Sequence, residues 1–317
     1  MPHVTFIHGI ANKPSVEKLL KIWLDALSQD PLGNGDAIDL GSSGFSSSMV
    51  YWADVLYENT LEEGNLESVM DLESSEAVAE KVEGDPDMTW RQETEGEEKQ
   101  LVDSLAAKLS FDVLVEDTFK PAESEIDTKL ERIPLPWFVK RRLMKYLLRD
   151  VHHYLFNYDF SPRSGTTYKV QEEIRSRMLK AFRDAAAKPG PHIAISHSMG
   201  TVILYDCLKR LQEFPPIDAL ITIGSPLGID EVQDKLKPEW TRENGFPEKL
   251  KGPWVNVYDM LDPVTGFDGN IANDFKKNNE EVVEVINEQN AGAWRHNITN
   301  YLSRPKLRAA LLKILNS

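Results

Sequence analysis

The stretch that most constrains this chain is His192-Ile-Ala-Ile-Ser196-His197-Ser198-Met199-Gly200-Thr201-Val202-Ile203. An apolar run ends at Ser196, a short polar turn follows, and an apolar helical pattern begins at Thr201. A strand that passes straight into a helix has to bend sharply. Small side chains at Ser196 and Gly200 permit the bend, because bulk there collides with the neighbouring strand and helix. Ser198, at the apex, is predicted to stand above a sheet with its hydroxyl exposed, as the nucleophile of a small-x-Ser-x-Gly elbow. Glycine is usual at the first position of that turn, and Ser196 is small enough to replace it.

The rest of the composition is compatible with one large domain, or a domain with a large insertion, in 317 residues. Hydrophobic residues make up 41% and include seven Trp, enough for a core. Mean hydropathy is -0.39, and no apolar run approaches the length of a membrane-crossing helix. Neither a basic segment nor an apolar one precedes His3, so no secretory signal is expected. Cys207 is the single cysteine and has no internal disulfide partner, which predicts a reducing, cytoplasmic setting.

The formal net charge of -15 argues against nucleic acid as a partner. From Glu58 to Glu131 there are 23 acidic and six basic side chains, a balance of -17, which leaves the remainder at +2. The acidity therefore belongs to one segment. It predicts an insertion at residues 54–150 in a core built from residues 1–53 and 151–317. Gly84 to Lys99 has few apolar residues and predicts a mobile stretch.

Taken in order, the core alternates strands and helices. His3–Ile7 is a β-rich run, and Val16 to Leu27 has helical apolar spacing with Ser15 as N-cap. Pro31 to Ser48 reads as loop and Met49–Trp52 as strand. Within the acidic segment, Leu101, Leu105 and Leu109, then Ile126, Leu130 and Ile133, repeat at helical spacing. Pro136 opens an amphipathic helix with Leu143, Tyr146, Leu147, Val151, Tyr154 and Leu155 on one side. Arg141, Arg142, Lys145 and Arg149 lie on its other faces, as a solvated basic surface docking on the acidic insertion or, in the alternative, on lipid. Helices are expected at Tyr168–Ala187, Thr201–Glu213 and Pro305–Leu315. Strands are expected at Asp218–Ile223, Trp254–Tyr258 and Val282–Ile286. This alternation predicts an α/β fold with a mostly parallel, doubly wound sheet.

A serine hydroxyl needs a general base, and the base needs a carboxylate to fix its tautomer. In such a sheet, loops at the carboxyl ends of the strands meet at one edge, so the partners belong just after later strands. His296, in Ala293-Trp-Arg-His296-Asn297, is the candidate base. His152 and His153 fall in the amphipathic helix, His192 begins a strand, and His197 points away from the nucleophile. Asp259 and Asp262, in Tyr258-Asp-Met-Leu-Asp262-Pro263-Val264, are the candidate acids. Two aligned donors are needed for developing oxyanion charge. The Met199 N–H at the start of the elbow helix is one. The Ile10 N–H, in the first strand-to-helix loop His8-Gly9-Ile10, is the other, with Gly9 letting backbone approach the substrate.

With His-Gly, the elbow, Asp-Pro-Val and His in this order, the chain resembles the α/β-hydrolase superfamily, and bacterial lipase/esterase-like serine hydrolases in particular. The resemblance covers residues 2–52 and 165–317, and a helical lid or cap commonly fills the place of 54–150. It implies hydrolysis of acyl esters through an acyl-enzyme, with Ser198 as nucleophile, His296 as base and Asp262 orienting it. Asp259 is left to shape its turn, and Ser196 and Gly200 to permit the elbow. Phospholipase, lipid-deacylase, acyltransferase and amidase activities use the same triad and stay open. From another class, a non-catalytic protein could use the acidic segment to hold a basic partner. No cofactor is expected: no His/Asp cluster has zinc-ligand spacing, and Gly41-Ser-Ser-Gly44 lacks the lysine of a phosphate loop. The expected partner is a small-molecule or lipid ester, without stable membrane insertion.

Overall fold

The computed structural model describes residues 1–60 apart from 32, 34, 42 and 43, together with 86–108, 137–265, 268–291 and 295–316. In chain order its strands and helices are β1 (His3–Ile7), α1 (Val16–Ser28), β2 (Ser46–Val50), α2 (Trp90–Glu93), α3 (Gly96–Lys108), α4 (Trp137–Leu155), β3 (Asp159–Arg163), β4 (Thr166–Lys169), α5 (Val170–Ala186), β5 (His192–His197), α6 (Met199–Arg210), β6 (Ala219–Ile223), α7 (Asp230–Leu236), β7 (Trp254–Tyr258), β8 (Glu284–Asn287), α8 (Ile298–Leu302) and α9 (Pro305–Leu315). Six strands form one sheet in the order β2-β1-β5-β6-β7-β8, and every ladder in it is parallel.

Parallel strands need crossovers, and helices on both faces then bury both sides of the sheet. This is why the central strands are rich in apolar residues, although His3, Thr5, Ser196, Thr222 and Asn256 are buried polar residues within them. Alternate residues enter opposite cores. Val4, Phe6, Ile193, Ile195, Ile221 and Val257 pack with Leu19, Trp23, Tyr301 and Leu311 on one face. Ile7, Ala194, Leu220 and Trp254 pack with Ile174, Phe182, Val202 and Tyr205 on the other. The chain moves from β1 outward to β2 and later returns to the other side of β1 with β5. At that reversal the connections leaving β1 and β5 diverge, the place where doubly wound sheets generally bind ligands.

Some boundaries differ from those read in the sequence. Tyr168 and Lys169 belong to β4 rather than to a helix, because Ser164-Gly165, with Gly165 at φ 77°, turns β3 back onto β4. The helix after the elbow starts at Met199 and stops at Arg210. Residues 86–99 carry α2 and the start of α3, where composition predicted mobility. Gly84 and Asp85 of that stretch lie outside the described residues, and Trp90 in α2 is buried and stacks on His152 with ring centroids 3.9 Å apart. Tyr57, Trp90, Leu105 and Leu147 join the same apolar cluster as α5 and α6. Arg149 is not part of a solvated basic face. It is buried, bonds the Asp150 carboxylate and lies 4.6 Å from the Tyr57 ring centre. Leu109, Ile126, Leu130 and Ile133 lie outside the described residues. Among the described residues no helix is long and apolar enough to cross a membrane.

Candidate active site

β5 ends at His197 and α6 begins at Met199, so Ser198 alone makes the bend. Its backbone sits at φ 54°, ψ -133°. Glycine adopts that region freely, whereas other residues are strained there by about 1–3 kcal/mol. The surroundings hold it in place. Ser198 N–H donates to the Ile223 carbonyl at 2.9 Å, and Thr201 N–H donates to the Ser198 carbonyl at 2.9 Å. A Cβ at Gly200 would lie 2.5 Å from the His8 carbonyl oxygen, so only glycine lets the elbow pack on the β1 loop. Ser196 pairs in register with Ile7 and Thr222, and its buried hydroxyl has no hydrogen-bond partner among the described residues. The Ser198 side chain is fully buried, in contrast to the exposed hydroxyl expected from the turn. Gly9 is part of the cover, since a Cβ there would come within 2.5 Å of Ser198 Cβ.

The structure brings Asp262 and His296 together across 34 residues of sequence. His296 Nδ1 lies 2.9 Å from Asp262 Oδ1 and 2.8 Å from Oδ2. A carboxylate accepts only, so Nδ1 carries the proton and Nε2 presents its lone pair. Asp262 is itself fixed. Val264 N–H donates to Oδ1 at 2.9 Å, and the Tyr301 hydroxyl donates to Oδ2 at 3.0 Å. The Tyr301 hydroxyl also accepts from Asp259 N–H at 2.8 Å. Burial and then the Asp262 charge hold its pKa well above the ordinary phenol range. Asp259 faces elsewhere: Oδ1 accepts from Leu261 N–H at 2.7 Å and Oδ2 from Asn290 N–H at 2.7 Å. Gly224 joins the pair to the elbow. It follows Ile223, which holds Ser198, and a Cβ on it would lie 2.9 Å from both Asp262 Oδ2 and His296 Nδ1. At φ 54° its backbone also favours glycine.

The β1 loop is equally determined. Trp52 N–H donates to His8 Nε2 at 3.0 Å, so the His8 proton is on Nδ1, which donates to the Gly9 carbonyl at 2.8 Å. Peptide planarity means that fixing this carbonyl also fixes the Ile10 N–H on the other side of the same peptide. Burial, followed by the Lys13 charge, lowers the His8 pKa to about 3, so the ring is a neutral donor. Among the described residues, neither the Ile10 nor the Met199 amide has a protein acceptor. Met199 is the first residue of α6, outside the intrahelical ladder.

His197 was expected to point away from the nucleophile. Its ring lies against that of His296, with centroids 4.4 Å apart, and Nε2 is 2.9 Å from the His296 carbonyl oxygen. Burial and the neighbouring His296 push its pKa well below the ordinary value, so it is neutral. Sequence reasoning missed the roles of His197, Tyr301 and Gly224. Of these, Gly224 alone has a local signal in the sequence, as a glycine directly after an apolar run ending at Ile223. Among the described residues no group of three or more His, Cys, Asp or Glu side chains is arranged to hold a metal ion. No family model, no curated protein and no solved structure matches the chain.

Proposed function

We propose that the chain is a serine hydrolase of the α/β-hydrolase type that cleaves carboxylic esters through an acyl-enzyme. The observation that carries this reading is the 2.8 Å Asp262–His296 contact, packed on Gly224, the residue after the Ile223 carbonyl that accepts from the N–H of Ser198 at φ 54°; the Ser198 hydroxyl itself makes no hydrogen bond among the described residues. The parallel order β2-β1-β5-β6-β7-β8, with Ser198, Asp262 and His296 each after a strand of this sheet, supports it further.

In this reading the Ser198 Oγ adds to the ester carbonyl carbon and its proton passes to His296 Nε2. Asp262 stabilises the resulting imidazolium. The Ile10 and Met199 amides hold the oxyanion. Collapse expels the alcohol, which takes the proton from His296. Water then repeats the sequence on the acyl-serine and releases the acid. Ser198, Asp262 and His296 have no exposed surface, so desolvation strengthens these interactions and substrate entry requires the cover to part. Residues 54–150 act as the cap that sets acyl-chain preference. Their acidity repels anionic lipid surfaces, and Arg149 is engaged by Asp150, which favours small or dispersed esters over bilayer lipid.

A fluorophosphonate probe tests the reading. Wild type is expected to be labelled at Ser198 and Ser198→Ala to remain unlabelled. A p-nitrophenyl ester series of rising chain length then separates esterase from lipase behaviour. Absence of label on the folded protein sinks the hydrolase reading and points to a binding protein on this fold.

A further inference from the structure

Ala11 is the residue after the Ile10 donor, and it sits at φ 67°, a left-handed conformation that alanine seldom adopts. Something outside the loop must hold it. Its N–H donates to Asp150 Oδ2 at 3.0 Å. Asp150 lies in α4, 139 residues away, and has no exposed surface. Its other oxygen, Oδ1, accepts from Arg149 Nε at 3.0 Å and Nη2 at 2.8 Å. The Tyr57 hydroxyl donates to Oδ2 at 3.1 Å, and the Arg149 guanidinium lies over the Tyr57 ring. The carboxylate is therefore fixed by two residues, Arg149 and Tyr57, before it meets the loop.

The two peptides flanking the Ile10 Cα are thus tied at opposite ends. His8 holds the Gly9 carbonyl and Asp150 holds the Ala11 N–H. Rotation about the Ile10 φ and ψ, which would swing the oxyanion donor away, breaks one bond or the other.

We propose that Asp150 is a positioning residue that locks the oxyanion loop with the Ile10 N–H aimed at the Ser198 site, and that Arg149 and Tyr57 hold it for that purpose. This rests on the hydrolase reading above. The donor has to be in place before charge develops, so the effect falls on the transition state rather than on substrate binding. It also means that α4, within the stretch assigned to the cap, is bonded directly to the catalytic loop.

The test uses the full chain, with active sites counted by end-point fluorophosphonate titration. In Asp150→Asn the amide NH2 must face either the Ala11 N–H or the Arg149 guanidinium, and both are donors. The expected result is a kcat on p-nitrophenyl butyrate lowered roughly 10- to 100-fold per titrated site, with KM changed less than about threefold. Because Asn leaves Arg149 buried without its counter-charge, a second variant combines Arg149→Met with Asp150→Leu. It removes both charges and still leaves Ala11 without an acceptor, so the same kcat loss is expected. Asp206→Asn is the control, since Asp206 is equally buried with Arg175 and Arg210 but outside the loop. Its kcat per site should match wild type. Undiminished kcat in both loop variants, a loss confined to KM, or an equal loss in Asp206→Asn overturns the role of Asp150. Wild type that takes no label overturns the hydrolase reading and this proposal with it.

Discussion

His197 lies against His296, with Nε2 2.9 Å from the His296 carbonyl oxygen and the two rings 4.4 Å apart. The carbonyl can only accept, so His197 donates through Nε2. His296 is therefore held at its backbone by His197 and at its ring by Asp262. His197→Phe keeps a ring in place and removes the donor, leaving a buried carbonyl unpaired. Stability should fall by about 1–3 kcal/mol, and kcat per labelled serine by roughly tenfold as His296 loses its alignment. Urea unfolding and titrated kinetics measure the two effects. Wild-type kcat in this variant would show that the packing is structural only.

The two aspartates after β7 should separate cleanly. Asp262→Asn removes the acceptor that sets the His296 tautomer, and turnover should drop about 10⁴-fold with the fold intact. Asp259→Asn disturbs the hydrogen bonds to Leu261 and Asn290, so its cost should appear in the unfolding midpoint while kcat per site changes little. The reverse ranking of the two kcat values would move the acid to Asp259.

Strain at the elbow gives a prediction about stability without reference to substrate. Ser198→Ala and Ser198→Gly should both abolish turnover, but only glycine relaxes φ 54°, ψ -133°. Relief of about 1–3 kcal/mol is partly offset by about 0.5–1 kcal/mol of backbone entropy. Ser198→Gly should therefore be the more stable of the two by thermal unfolding. A less stable glycine variant would mean that the conformation is not strained.

Ser196 occupies the position where the turn usually has glycine, and its buried hydroxyl makes no hydrogen bond among the described residues. Removing an unsatisfied buried hydroxyl is neutral to stabilising by about 1 kcal/mol. Ser196→Ala should unfold at equal or higher urea concentration than wild type with unchanged labelling of Ser198. A clear loss of stability would reveal a partner for the hydroxyl.

Burial lowers the pKa of His8 to about 3, His153 to about 2 and His192 to about 4. In the unfolded chain these groups return to about 6.5. Above pH 6.5 neither state takes up these protons. As pH falls from 6.5 toward 4 only the unfolded chain does, so stability is lost in that window. Each histidine contributes a slope of up to about 1.4 kcal/mol per pH unit. The urea midpoint should decline steadily from pH 7 to pH 5. A flat midpoint over that range would mean that these rings are protonated in the folded state.

Much of the sheet was legible because both of its faces are buried. A strand covered on both sides is rich in apolar residues, and Ala219–Ile223 stands out for that reason, while His3, Thr5 and Asn256 are buried polar residues within β1 and β7. The β3–β4 hairpin was less legible. Its aromatic residues Phe160 and Tyr168 are only half-buried, and Tyr168 adjoins a strong helical pattern that masks it. Arg149 was misread because helical periodicity places a side chain on a face but does not say what packs there. Tyr57, which lies 92 positions away, covers that face.

The sequence by itself determined the strand-turn-helix elbow and the order of Ser198, Asp262 and His296 behind their strands. These depend on short-range sterics and on short apolar runs, both of which are written locally. Only the tertiary structure decided that Asp262 rather than Asp259 meets His296, that His197 lies against His296, and that Asp150 accepts from the Ala11 N–H of the β1 loop. Each is a contact across tens of residues or more, with geometry set by how helices seat on the sheet. A distance of that kind is fixed by packing, and no local pattern of residue types encodes it.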